Sequence, residues 1–95
     1  MPHIHGIPAA YLNSSDITEI YIPDECDYIG RQAFEFCEKL EIVAGCRNVH
    51  SIHSFAFYDC ENLFKITLYP VLEEIRINAF GECPSLKIIT FMGTR

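Results

Sequence analysis

The chain has 95 residues, 49% hydrophobic and 21% charged, with a net charge of −6 and a pI near 5.0. That length supports one core, and the composition excludes a disordered chain. Surplus negative charge repels phosphate backbones and anionic lipid, so it argues against nucleic-acid or membrane-surface binding and suits a basic protein partner.

The N-terminal stretch MPHIHGIPAAYLNSSD has no basic region followed by an apolar run, and no apolar stretch reaches about 18 residues, so neither a signal peptide nor a membrane span is expected. Five cysteines, at 26, 37, 46, 60 and 83, form an odd set that points to reduced thiols and a cytoplasmic location. Asn13-Ser14-Ser15 matches a glycosylation acceptor, but without a secretory route it reads as a turn or helix cap.

An internal repeat with a period of 23 residues organises the rest. Ile17 recurs as Leu40, Leu63 and Leu86, and Ile20 as Val43, Ile66 and Ile89. Cys26 recurs as Val49 and Leu72, Ile29 as Ile52 and Ile75, and Ala33-Phe34 as Ala56-Phe57 and Ala79-Phe80. Cys37 recurs as Cys60 and Cys83. A further column holds Ile22, Leu68 and Phe91 but fails at Gly45. A unit this small cannot bury its own apolar face; stacked units turn each column into a continuous ladder.

In chain order, residues 1–16 read as a degenerate half-unit that caps the stack, with Pro8 placed to open a short helix. Ala10-Tyr11 lies one period before Ala33-Phe34, Ser14 before Cys37, and Gly6 before Ile29. Repeats follow at 17–39, 40–62 and 63–85, with a partial one at 86–95. Near its start each carries an alternating apolar-x-apolar segment, as a short strand requires, except that Gly45 breaks it in 40–62, and these strands should pair in parallel between units. The spacing of Ala33, Phe34 and Cys37 predicts one or two helical turns over 30–37. The last rung, Leu86 to Phe91, has no recognisable cap and should present unpaired strand groups.

The motif I-x-I-P-x-x-x-x-x-I-G-x-x-A-F-x-x-C, complete from Ile20 to Cys37, resembles the BspA-like class of leucine-rich repeats over residues 17–91. Later units depart from it at Gly45-Cys46, Leu68-Tyr69, His53 and Arg76, which alters turns and leaves the core columns intact. The resemblance implies a leucine-rich-repeat solenoid of the α/β type, a right-handed coil of about three units with short parallel strands and short helices. Similar proteins occur on surfaces of bacteria and protists, often as adhesins, and inside cells. The class carries no catalytic residues to transfer, so it implies a binding role and no enzyme activity, without naming a ligand.

If Ile20 and Ile22 point inward, the alternate positions point outward. Tyr21, Ile42, Tyr69, Ile88 and Met92 would then form one apolar patch, joined by Phe64 from the adjoining position. Cys46 would face outward with them. Repeat 17–39 carries six acidic and two basic residues, and its acidic end at Asp24, Glu25 and Asp27 reads either as a solvated surface that keeps the protein soluble or as a docking site for a basic partner. Three functions compete: a module presenting its strand face to a protein ligand, a small acidic inhibitor or mimic that occupies a basic site on a nucleic-acid-handling protein, and a structural subunit of a larger assembly. The open last rung adds end-to-end self-association.

Metal and cofactor chemistry is not expected. Cys37, Cys60 and Cys83 fit the apolar ladder, where free cysteine behaves as a small hydrophobe. The pairs His3/His5 and His50/His53 lack further ligands at zinc spacing. Cys46 and His50 offer a thiol and a base but no third orienting group.

Overall fold

The computed structural model describes residues 6–13 and 16–91, the last four as backbone. Among the described residues, eight short strands alternate between two parallel sheets. One sheet holds β2 (Glu19–Ile22), β4 (Ile42–Gly45), β6 (Lys65–Leu68) and β8 (Ile88–Phe91). The other holds the two-residue strands β1 (Gly6–Ile7), β3 (Tyr28–Ile29), β5 (Ser51–Ile52) and β7 (Glu74–Ile75). A run of turns over 31–36, 54–59 and 77–82 closes each coil on its third side.

The strand register follows the sequence period. Glu19 lies opposite Ile42 and Ile20 opposite Val43; Lys65 then lies opposite Ile42 and Ile88 opposite Lys65. Ile29, Ile52, Phe34, Phe57, Cys37, Cys60, Leu40 and Leu63 are fully buried. The Phe34 and Phe57 rings stack at 5.3 Å with 12° between planes, and Phe57 and Phe80 at 5.3 Å with 1°. The cysteine ladder is more than packing. Each thiol donates to a carbonyl one coil below: Cys37 to Leu12 at 3.1 Å, Cys60 to Phe34 at 3.2 Å, Cys83 to Phe57 at 3.0 Å. A valine would fill that space but remove the donor that the thiol supplies to the carbonyl.

Three expectations change. The segment 30–37 is a chain of turns, and no helix forms among the described residues, including after Pro8. Gln32 and Phe36 take positive φ (59° and 63°), as do Phe55 and Asp59, and Asn78 and Glu82, in the same columns. Alternating the sign of φ aims amide groups along the stack, so Gln32, Phe34 and Phe36 donate to Ser54, Ala56 and Tyr58 of the next coil. An α-helix would spend those donors within its own turn.

The second change concerns the first unit, which is one residue short of the period. Ile7 pairs with Ile29 and Gly6 with Tyr28. Ile7 is buried, so the column that Gly6 fails to fill at full period is filled one residue later. Leu12, not Tyr11, then takes the phenylalanine position: its amide donates to Ala33 as that of Phe34 does to Ala56. Tyr11 lies edge-on against Phe34 instead, with centroids 6.3 Å apart. Ser14 lies outside the described residues.

The third is Cys46, which is buried, not outward. Gly45 (φ 87°) and Cys46 (φ 63°) twist the end of β4, and β4 pairs with β6 only through Ile42 and Val43. A β-carbon on Gly45 would sit 2.2 Å from the Ile22 carbonyl oxygen, so no larger residue fits that approach. The inward thiol of Cys46 supplies the apolar group that Gly45 lacks.

Candidate interaction surfaces

The outer face of the β2–β4–β6–β8 sheet follows from strand alternation. Ile20, Val43 and Ile66 point into the core, so Glu19, Tyr21, Ile42, Ala44, Lys65 and Thr67 point out. Tyr21 is 63% exposed because its register neighbour is Ala44 and the next strand carries Thr67 in that row. Neither is tall enough to cover the ring. Ile42 is half-buried, in the row of Glu19, Lys65 and Ile88. Phe64 is 37% exposed and borders a recess with Glu41, Asn62, Ser85 and Lys87. Tyr69 is half-buried in the turn after β6. The apolar residues therefore lie in different rows of one face, interrupted by Lys65. The side chain of Ile88 and all of Met92 lie outside the described residues.

Asp24, Glu25 and Asp27 are exposed in the turn after β2, and no cation pairs with them among the described residues. This turn borders an apolar recess of about 620 Å³ lined by Ile7, Leu12, Ile20, Tyr21, Ile22 and Glu25, among others, at the start of the stack. Its size is that of a ligand site.

A surface absent from the sequence reading lies on the turn side. Phe36 is 41% exposed, its ring 6.1 Å from that of Tyr58, which in turn is 5.2 Å from Phe55. The signal was the F-x-F of Phe34 and Phe36: two rings two residues apart cannot both face a core from a helix.

The titratable groups are shaped mainly by burial. The Cys46 thiol is pushed up to about 12 by burial, with the Cys26 thiol adding to it, so it supplies almost no thiolate at neutral pH. His50 is exposed, and its backbone carbonyl accepts from Glu73 and Glu74. His53 stacks on Tyr28 with ring centroids 5.2 Å apart and meets the Ser51 hydroxyl at 3.2 Å. Burial and the nearby Arg76 hold its imidazole below the usual value, against an opposing pull from Glu74. Among the described residues no three His, Cys, Asp or Glu side chains gather as a metal would need, and no helix is long and apolar enough to cross a membrane. His3 and His5 lie outside the described residues.

Comparison with known proteins agrees with this geometry. The model of the BspA type leucine-rich repeat region matches residues 6–94 with six copies. A leucine-rich repeat protein from Bacteroides capillosus ATCC 29799 is 29% identical and superposes with a TM-score of 0.82 over 90% of this chain and 62% of its own. A leucine-rich cell surface protein from Faecalibacterium prausnitzii A2-165, 19% identical, shares the fold, with a TM-score of 0.75 over 97% of this chain and 31% of its own. The chain thus spans less than two thirds of either neighbour. No curated protein matches it. Repeat period, parallel register and family match agree: the chain belongs to the BspA-type leucine-rich repeat family.

Proposed function

We propose that the chain is a protein-interaction module that engages a protein ligand through the outer face of the β2–β4–β6–β8 sheet. The observation that carries this is Tyr21, 63% exposed on a regular strand beside short neighbours. Tyrosines in such settings are the side chains on which interface energy concentrates. Phe64 and Ile42 extend the apolar area. The binding test starts with a protein captured from native lysate. Tyr21→Ala should weaken that complex about tenfold or more with the fold intact by circular dichroism, a loss of roughly 1.4 kcal/mol. Unchanged affinity in Tyr21→Ala and in Phe64→Ala would reject this face.

The exposed carboxylates of Asp24, Glu25 and Asp27 support a second reading, an acidic mimic that occupies a basic site. Affinity falling steeply with salt, and lost on neutralising those three, would favour it over the apolar face. The exposure of Ile75 (47%) and Ile77 (70%) supports assembly, either within a larger structure or with a second copy end to end. Sedimentation showing only monomer at every concentration would reject the second-copy form. Five cysteines with no disulfide among them suit a reducing compartment and favour an intracellular setting.

A further inference from the structure

We propose that the turn side of the solenoid is a separate docking surface for a cationic peptide, with Phe36, Tyr58 and Phe55 as the aromatic platform and Asp59 and Glu82 as its counter-charges.

The argument starts from backbone strain. Phe36 and Phe55 hold φ of 63° and 61°, a region that bulky side chains rarely adopt. The column of Phe55 also holds Gln32 and Asn78, and that of Phe36 holds Asp59 and Glu82, so the fold does not require an aromatic ring at either place. Nor does the core, because Phe36 is 41% exposed while Phe34, two residues away, is fully buried. Strain retained at a residue that adds little to the core points to a use for its outward ring.

The rings form a continuous tract. Phe36 meets Tyr58 edge-on at 77°, and Phe55 meets Tyr58 at 69°. The Phe36 amide donates to the Tyr58 carbonyl at 2.8 Å and the Asp59 amide to Gly81 at 2.8 Å, which pins three successive coils together at this site. Gly81 keeps the tract open. A β-carbon there would come within 2.9 Å of the Tyr58 ring.

Charge selects the occupant. Phe36, Asp59 and Glu82 stand in one row, about 4.8 Å apart from coil to coil. Exposed Glu38 and Glu61 follow two residues after Phe36 and Asp59, against Arg31 and Lys39 as the cations of this side. A ring face beside carboxylates attracts a guanidinium or ammonium through both the ring quadrupole and the ion pair. An extended peptide bearing arginines would lay one over the rings and a second between Asp59 and Glu82. This surface lies on a different side of the coil from the strand face and stands or falls independently of it.

The test uses the full chain and a fluorescent Gly-Arg-Gly-Arg-Gly-Arg-Gly peptide, with the citrulline version as a neutral control of the same shape. The arginine peptide should bind and the citrulline peptide should not. Phe36→Ala should weaken binding about three- to fivefold, and Phe36→Tyr should retain it. Asp59→Asn with Glu82→Gln should weaken it further and flatten its salt dependence; asparagine tolerates the left-handed backbone of Asp59. Neutralising Glu73, an exposed carboxylate just before β7 to which no binding role is assigned, should leave binding unchanged. Equal binding of both peptides, no loss in Phe36→Ala, an equal loss in Glu73→Gln, or a tract that takes cellohexaose and ignores the arginine peptide would each overturn the proposal.

Discussion

The coil of β4 and β5 and the coil of β6 and β7 use nearly the same residues in the same columns, yet they differ in how far they are buried. Ile52 is fully buried while Ile75 is 47% exposed; Phe57 and Cys60 are fully buried while Phe80 and Cys83 are half-buried. Phe57 is stacked on both sides, against Phe34 and Phe80. Phe80 has a partner on one side among the described residues. Burial in this fold is therefore a property of neighbouring coils and not of the repeat sequence, as expected when stability is a sum of nearest-neighbour interfaces.

The largest test of this difference is Phe57→Ala against Phe80→Ala. Loss of a ring sandwiched between two others should cost about 3–5 kcal/mol, enough to leave the domain marginal. Loss of the outer ring, which removes one stacked face, should cost about half as much. Urea unfolding of both variants measures the gap. Equal costs would mean that the two coils are equally covered in solution.

The thiols sharpen the same contrast. Cys46 lies in the interior of the β4 coil, and its folded pKa of about 12 stands above the 9.0 of the exposed thiol. A raised folded pKa means the native state keeps its proton longer than the unfolded chain. Its contribution is whole below pH 9 and is lost as pH rises towards 12. The full loss, on the order of 4 kcal/mol at about 1.36 kcal/mol per pKa unit, should appear as alkaline unfolding that Cys46→Ala makes less steep. Cys60 acts in the same direction, raised by its hydrogen bond with Cys83 and by burial. Cys83 goes the other way, because the Cys60 thiol stabilises its thiolate. In the native protein, iodoacetamide should therefore label Cys83 well before the four buried thiols, as mass spectrometry of the alkylated peptides can show. Labelling of Cys60 ahead of Cys83 would reverse the comparison.

How much of this was legible depended on whether a residue's role is set by its column or by its backbone. Phe34, Phe57 and Phe80 announced themselves because a strict period places identical side chains at identical depth. Ile7 did not, because the first unit is one residue short and a fixed period lands on Gly6. Cys46 read as outward because alternation assumes a regular strand, and the positive φ of Gly45 ends that regularity. The turn side was the least legible. Gln32, Phe36, Phe55, Asp59 and Glu82 take left-handed backbone with no glycine to mark it, so the segment read as a helix. Of the residues expected to meet a partner, Tyr21 and Phe64 stand exposed and Asp24, Glu25 and Asp27 form an exposed acidic turn, whereas Ile42 and Tyr69 are half-buried.

That left-handed backbone gives the smallest effect and the finest comparison between coils. Asp59 and Glu82 hold the same conformation, with φ of 59° and 56°, one coil apart. Only the Asp59 amide has a donor role to a higher coil among the described residues, reaching Gly81 at 2.8 Å. Glycine at either position removes the steric cost of left-handed φ but gives the unfolded chain more freedom, which offsets part of the gain. Aspartate tolerates this region better than glutamate, because its short side chain can bond locally. Glu82→Gly should therefore stabilise by about 0.5–1 kcal/mol, while Asp59→Gly should be near neutral, as read from thermal midpoints. If Glu82→Gly instead destabilised, the strain in the outer coil would already be relaxed in solution, and the turn column would end at Asp59.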